Sequence, residues 1–234
     1  MILHIAIKLY FFFLCRRDAQ RAVSTVLELC KTRLPDNMHI PADQIQVLTP
    51  TRKGLCGTVN LNRLLQEALN PKVPGKREIL WGERVFRVGD RIMQTRNDYD
   101  VVWQKADGTV GTGMFNGDVG RIVEIDQSGE WLALDFDGRT APYSTEMLSE
   151  IDLAYAQTVH KAQGSEYRCV VLAAMPSAPS LMVRGVLYTA LTRARKLLVM
   201  VGDDAAVRSM AANDKQQKRY SGLKWRLCHA GENG

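Results

Sequence analysis

From Tyr155 to Tyr167 the chain reads Tyr-Ala-Gln-Thr-Val-His-Lys-Ala-Gln-Gly-Ser-Glu-Tyr. An apolar run from Ile151 to Ala156 leads into this stretch, and Thr158, His160, Lys161, Gln163, Ser165 and Glu166 then fall within nine residues. Neither a core strand nor a surface helix needs that set of side chains. A strand ending in a turn that carries hydroxyl, imidazole, ammonium and amide groups is an edge suited to phosphate, because side-chain and backbone donors converge there. A second block, Leu187 to Arg195, reads Leu-Tyr-Thr-Ala-Leu-Thr-Arg-Ala-Arg and leads into the apolar run Leu197 to Val201 and Gly202. On residue type alone, Arg193 is a solvated arginine late in a helix, favoured there by the helix dipole. A lone histidine such as His160 is, on the same footing, more often a satisfied structural group than a ligand.

The 234 residues can build one good core plus an insertion, or two small domains. An apolar fraction of 46% and a charged fraction of 24% belong to a soluble globular protein and exclude a disordered chain or a membrane span. The net charge of +6 suits a polyanionic partner. Cys15, Cys30, Cys56, Cys169 and Cys228 are odd in number and far apart, so they form neither a disulfide framework nor a metal site. They read as small buried hydrophobes in a reducing cytoplasm. The histidines are equally dispersed, and no metal ligands are assigned.

The elements that must position the two blocks follow from periodicity. Tyr10 to Leu14 reads as a buried parallel strand rather than the core of a signal peptide, since Lys8 interrupts the run and no cleavage pattern follows. Asp18 caps a helix with Val23, Val26, Leu27, Cys30 and Leu34 on one face, ended by Pro35. Gln44 to Thr49 is a short strand, and Leu61, Leu64, Leu65 and Ala68 mark the next helix. After Pro71, Pro74 and Gly75 the pattern changes to short β-prone runs, Val119 to Ile125, Trp131 to Phe136 and Thr140 to Tyr143. Asp107-Gly108, Asn116-Gly117, Ser128-Gly129 and Asp137-Gly138 supply the turns. These features predict a small antiparallel barrel from roughly Trp81 to Leu148, with Trp131 and Phe136 in its core. The α/β pattern returns at Ile151, with a strand from Arg168 to Ala174, a helix from Ser180 to Ala194, a strand from Lys196 to Val201, and a last helix capped by Asp203 or Asp204. The fold class is therefore α/β, a sheet flanked by helices and interrupted by an antiparallel barrel.

A phosphate-cradling P-loop is missing. Gly54 and Gly57 are too close for that motif, and the Gly75-Lys76 pair is followed by Arg77. No Asp-Glu pair follows a strand to hold magnesium.

In this order, the blocks resemble the fifth and sixth motifs of superfamily 1 helicases of the RecD/TraA type. Leu48-Thr-Pro-Thr-Arg-Lys-Gly54 with Asn60-Leu-Asn-Arg-Leu-Leu-Gln66 looks like that family's fourth-motif region. Phe86-Arg-Val-Gly-Asp-Arg-Ile-Met-Gln-Thr-Arg-Asn-Asp-Tyr99 and Phe115-Asn-Gly-Asp-Val-Gly120 look like the entry to its SH3-like inserted barrel. The resemblance covers the chain from Phe11 to about Arg226. It implies a RecA-like parallel sheet as second motor domain, in segments 1–77 and 150–228, with an SH3-like β-barrel inserted over 78–149 and a tail over 229–234. It also implies a parent enzyme, an ATP-dependent 5′-to-3′ DNA helicase of repair or recombination, with ATP and Mg2+ in a cleft completed by a first RecA-like domain. This chain alone is then expected to be inactive, a portion of that longer protein. The expected partners are single-stranded DNA and the first domain, with no membrane.

Residue by residue, Arg193 matches the arginine that reaches the γ-phosphate across the cleft, with Arg52 as a second candidate or a plain surface cation. Gly164 and Glu166 match the segment between nucleotide and DNA, Glu166 being alternatively an N-terminal helix acid. Thr158, His160, Lys161 and Gln163 are expected against the DNA backbone. Tyr99 and Trp103 are candidates for stacking on bases. Two rival readings stand beside this one: a non-enzymatic nucleic-acid-binding module centred on the barrel or the basic tail, and a partner-binding barrel on an inert scaffold.

Overall fold

The computed structural model describes residues 9–214. The stretch before Leu9, Cys228, the end of the second α/β segment and the expected tail lie outside the described residues.

The chain enters α1 (Ala19–Glu28) from β1 (Tyr10–Cys15) through Asp18, whose Oδ1 accepts from the Arg21 amide at 2.8 Å. Pro35 does not end this helix. The helix widens into a π-turn over Leu29–Arg33, where the Leu34 amide donates to the Leu29 carbonyl, and it resumes as α2 (Leu34–Met38). A proline ring inside an α-helix collides with the carbonyl four residues back, and a wider turn moves that carbonyl away. His39, in the left-handed region at φ 51°, is the actual stop. Next come β2 (Ile45–Thr49) and α3 (Thr58–Leu69), with Leu61 and Leu65 fully buried.

The hairpin β3 (Glu78–Trp81) and β4 (Arg84–Arg87) opens the β-rich part. It continues through β5 (Arg91–Gln94), β6 (Asp98–Gln104), β7 (Val110–Met114), β8 (Val119–Ile125), β9 (Trp131–Phe136), β10 (Arg139–Ser144) and β11 (Ile151–Leu153). Between β9 and β10, Asp137 and Gly138 both have positive φ (55° and 79°), as a two-residue hairpin turn requires. The chain then returns through β12 (Ala156–Thr158), β13 (Tyr167–Ala174), α4 (Arg184–Leu191), β14 (Ala194–Gly202) and α5 (Asp204–Ala212). Asp203 caps α5 by accepting from the Ala206 amide at 2.9 Å. The helix expected from Ser180 to Ala194 is shorter at both ends. Residues 178–182 close turns of their own, and Ala194 is drawn into the sheet opposite Tyr167.

Five strands form a parallel sheet in the order β1-β14-β13-β2-β12. Successive side chains point to opposite faces. Cys169, Val171 and Ala173 therefore join the core under α1 and α3, while Val170, Leu172 and Ala174 join the core under α4 and α5. The α/β architecture read from the sequence is thus present, as is the antiparallel insertion. Its seven strands, in the order β11-β5-β8-β9-β10-β6-β7, enclose one core that includes Phe86, Phe136 and Tyr143.

Four further expectations are corrected. The strand β1 is parallel, but Tyr10, Phe11 and Phe12 are exposed, because β1 is an edge strand and α1 packs over β13 and β14. Cys15 on that strand is exposed too, unlike buried Cys30, Cys56 and Cys169. Trp131 opens β9 outside the barrel core, 41% exposed, while its even-numbered neighbours Leu132, Leu134 and Phe136 point inward. Residues 151–153, read as the return of the α/β pattern, pair with β5 in the antiparallel sheet.

Asp90 joins the two sheets. It is fully buried, and its carboxylate accepts from the Arg87 amide (2.7 Å), Gln66 Nε2 (2.5 Å), Asn70 Nδ2 (2.6 Å) and the Tyr155 hydroxyl (2.9 Å). These donors come from the end of β4, from α3 and its C-terminal cap, and from the segment entering β12. Arg87 adds a second tie through Glu67 (2.7 Å) and Glu78 (3.0 Å).

Candidate functional site

Thr158 ends β12, the three-residue edge of the parallel sheet. The open side of this strand is braced by α3. Asn62 Nδ2 donates to the Ala156 carbonyl (3.0 Å), and the Ala156 amide donates back to Asn62 Oδ1 (2.7 Å). The chain then turns at once, with the Lys161 amide on Thr158 Oγ1 (3.3 Å) and the Ala162 amide on the Thr158 carbonyl (3.1 Å). Val159 and Ala162 anchor this turn in the core under α4 and α5, leaving His160, Gln163 and Gly164 exposed. Gly164 has φ 87°, a conformation that favours glycine.

Thr158 and Lys161 face a cavity of about 840 Å³. Its walls are α3, the loop after β2, the β3–β4 hairpin, and the β5 and β11 strands of the barrel sheet. Arg52, Lys53, Arg63, Arg84 and Lys161 line it against Glu67, Glu83 and Asp152, so cations are in excess. Arg84 is bound by Asp152, and Glu67 is engaged by Arg87. Arg52, Lys53 and Arg63 make no ion pair among the described residues. Burial pushes the Lys161 ammonium below its usual pKa; Asp152 opposes that shift and the charge of Arg52 adds to it. Gln157, 2% exposed, also lines the cavity and leaves Nε2 without a hydrogen-bond partner. The cavity thus offers partly desolvated donors and uncompensated positive charge, which is the chemistry of a phosphate-backbone contact.

The second block lies at the other end of the strands. Arg193 immediately precedes β14, and its carbonyl accepts from the Tyr167 amide at the start of β13 (2.8 Å). Its guanidinium donates to the carbonyls of Thr189 (3.2 Å) and Ser165 (2.9 Å) and to Thr192 Oγ1 (3.1 Å). All three acceptors are neutral, and no carboxylate pairs with Arg193 among the described residues. Glu166 is engaged by Arg195 at 2.7 Å.

The structure therefore brings Arg193, Gly164 and Glu166 to one edge and Thr158 and Lys161 to the other, joined by the exposed loop that carries His160 and Gln163. Arg52, paired with Arg193 in the sequence reading, sits instead in the cavity with Lys161. Tyr99 is away from the cavity lining. It is 66% exposed, edge-to-face with Phe115 at 5.7 Å, and flanked by Asp98 and Asp100. Trp103 packs against the barrel core, with Lys105 and Arg139 over its ring. Asn62 and Gln157 lie inside the quoted motifs but drew no role from the sequence, and Arg84 and Asp152 drew none either, since what they do rests on contacts between distant segments.

Two family models match the chain: the ATP-dependent RecD-like DNA helicase SH3 domain over residues 61–136 and the UvrD-like helicase C-terminal domain over residues 153–201. The ATP-dependent RecD2 DNA helicase of Deinococcus radiodurans is 37% identical over 185 residues, covering 79% of this chain and 24% of that protein. The RecBCD enzyme subunit RecD of Mycolicibacterium smegmatis is 33% identical over 190 residues, covering 81% of this chain and 30% of that subunit. The chain thus spans less than a third of the length of either relative. Among solved structures, the Pif1 helicase from Bacteroides in complex with ADP-AlF3 and ssDNA aligns at 16% identity and a TM-score of 0.48, over 92% of this chain and 51% of that one. With the RecD-like SH3 domain and the UvrD-like C-terminal domain matched in succession, and relatives of the RecD type over most of its length, this chain belongs to the RecD-like DNA helicase family.

Proposed function

We propose that this chain is the second motor domain, with its inserted barrel, of an ATP-dependent RecD-like DNA helicase that moves 5′ to 3′. The motor segments are those drawn at 1–77 and 150–228, and the barrel, drawn at 78–149, carries on through β11. The observation that supports this reading best is the cavity between α3 and the barrel, where Thr158 and Lys161 meet Arg52 and Lys53 with positive charge in excess. Single-stranded DNA is the ligand, held by its phosphates. The uncompensated Arg193 guanidinium on the opposite edge is suited to the γ-phosphate of ATP held with Mg2+ by a first RecA-like domain. ATP supplies the free energy for closing and reopening the two domains. This chain's residues grip the strand and offer a cation to the nucleotide, with Gly164 and Glu166 at the junction between the two.

The first test is fluorescence anisotropy of a labelled oligo-dT at two salt concentrations, comparing the chain with a Thr158→Ala, Lys161→Ala double variant. Binding that weakens with salt, and weakens by about tenfold in the variant, is expected for loss of one charge-assisted phosphate contact. The salt slope should fall by roughly 0.7 with the lost cation. Binding indifferent to both substitutions would move the contact to the barrel or the tail and sink this reading. Taken alone, the chain is expected to release no phosphate from ATP, because it lacks the P-loop lysine and the acidic magnesium ligands. A malachite-green assay with Mg2+ checks this, and turnover that survives Arg193→Ala would contradict it.

A further inference from the structure

Asp152 occupies the cavity wall facing Lys161, on strand β11 of the barrel sheet. Arg84 Nη1 binds one of its carboxylate oxygens, and the other stands 3.9 Å from Lys161 Nζ. That separation gives charge attraction without a hydrogen bond. Arg84 is held independently. Its guanidinium also donates to the carbonyls of Ile151 (2.7 Å) and Leu148 (3.4 Å), and it lies 4.6 Å from the centre of the Trp81 ring. Asp152 is therefore fixed from behind by a well-anchored arginine and presents its second oxygen to the groove. Lys161 has no other anion within ion-pair distance among the described residues and feels the like charge of Arg52.

We propose that Asp152 sets the affinity of the groove for the strand by competing with phosphate for Lys161. In the free groove the carboxylate takes the place of a phosphodiester beside the ammonium. On binding, Lys161 exchanges Asp152 for the strand, while Asp152 stays on Arg84. This rests on reading the groove as a site for single-stranded DNA. It gives the inserted barrel a defined part: its sheet delivers the charge that opposes the motor domain's grip, which keeps the strand releasable at each step.

The test compares the chain with Asp152→Asn, which keeps an oxygen acceptor for Arg84, and with Glu83→Gln, which removes a groove carboxylate that makes no ion pair among the described residues. A thermal melt verifies folding of each variant. At about 50 mM salt, Asp152→Asn should bind labelled oligo-dT on the order of 3- to 10-fold more tightly, an advantage that shrinks as salt screens the carboxylate. Glu83→Gln should gain less. In parallel, reductive methylation read by mass spectrometry should modify Lys161 faster in Asp152→Asn than in the unaltered chain, and oligo-dT should protect Lys161 in both. Unchanged or weaker binding by Asp152→Asn, or an equal gain in Glu83→Gln, would overturn the proposal while leaving the DNA reading standing. Absence of oligo-dT binding in every form, with Lys161 unprotected, would overturn both.

Discussion

Replacing Asp90 with alanine should lower the stability of the folded chain by about 2–4 kcal/mol, because it leaves buried hydrogen-bond donors without an acceptor. The substitution strands donors from three separate pieces of chain. The Arg87 amide and the Tyr155 hydroxyl lose their acceptor, and the side-chain –NH2 groups of Gln66 and Asn70 each keep only a backbone carbonyl, Val85 at 2.8 Å and Val88 at 3.2 Å. Each buried donor left without a partner costs about 1–3 kcal/mol, and relief from burying the carboxylate offsets only part of it. Asp90→Asn should fare little better, because an amide turns an –NH2 group toward groups that are themselves donors. Urea titration followed by tryptophan fluorescence measures the loss; a shift below about 1 kcal/mol would show that the joint is held by its apolar contacts instead.

The pH dependence of that joint has a definite sign. Burial pushes the Asp90 carboxyl above its ordinary 3.8, and the hydrogen bonds from Asn70, Arg87, Gln66 and Tyr155 pull it back only in part. A carboxyl whose pKa is raised by folding contributes most stability when protonated, below 3.8, and that contribution is lost as pH rises through the folded value. Asp90 thus works against the usual acid denaturation. Relative to Asp90→Asn, the unaltered chain should be most stable at the acid end and lose part of its advantage on the way to neutral pH.

The Asp90 joint also shows where sequence reading stops. The local rules worked well in the barrel. Val119 to Ile125 and Trp131 to Phe136 are strands with the bounds read from the sequence, and Asp137-Gly138 turns as such pairs do. Turn chemistry and alternation act between neighbours, so the sequence displays them directly. The stretch from Phe86 to Asp90 was legible as a motif but not as a device. Its glycine has φ 89°, and its carboxylate gathers donors 20, 24 and 65 residues away, a convergence with no local signature. Burial failed for a related reason. Period and composition identify the strands β1 and β9, yet whether Phe11 or Trp131 is covered depends on which element lies above, and none covers them here. In the candidate site, Thr158 and Lys161 stand together because they are three residues apart in one turn. Arg52 was separated from them in the sequence reading, and Asp152 was passed over, because the pairing of β2 with β12, which sets Thr49 beside Thr158, and the place of β11 in the barrel sheet are contacts between distant segments.

In a protein carrying both motor domains, Arg193→Ala should lower kcat for ATP hydrolysis by roughly 10³-fold or more, the range for removing an arginine finger. Oligo-dT affinity should change little. Three neutral acceptors hold the guanidinium in the free domain, so its charge is positioned but not neutralised. A phosphate forms stronger, charge-assisted bonds than a carbonyl does, so the arginine can leave Ser165 for the nucleotide at small net cost. Arg193→Lys should recover only a small part of the rate, since an ammonium is a point charge without the planar fork of donors. Arg193→Ala loses the bond to the Ser165 carbonyl, and comparison of the melting curves of both variants with the unaltered protein separates a folding defect from a chemical one. If Arg193→Ala turned over ATP within a few-fold of the unaltered enzyme, Arg193 would be a structural strap between α4 and the loop after Thr158. If kcat fell while KM and oligo-dT binding held, its contribution would lie in the transition state, on the edge of the sheet opposite to the one that carries Thr158 and Lys161.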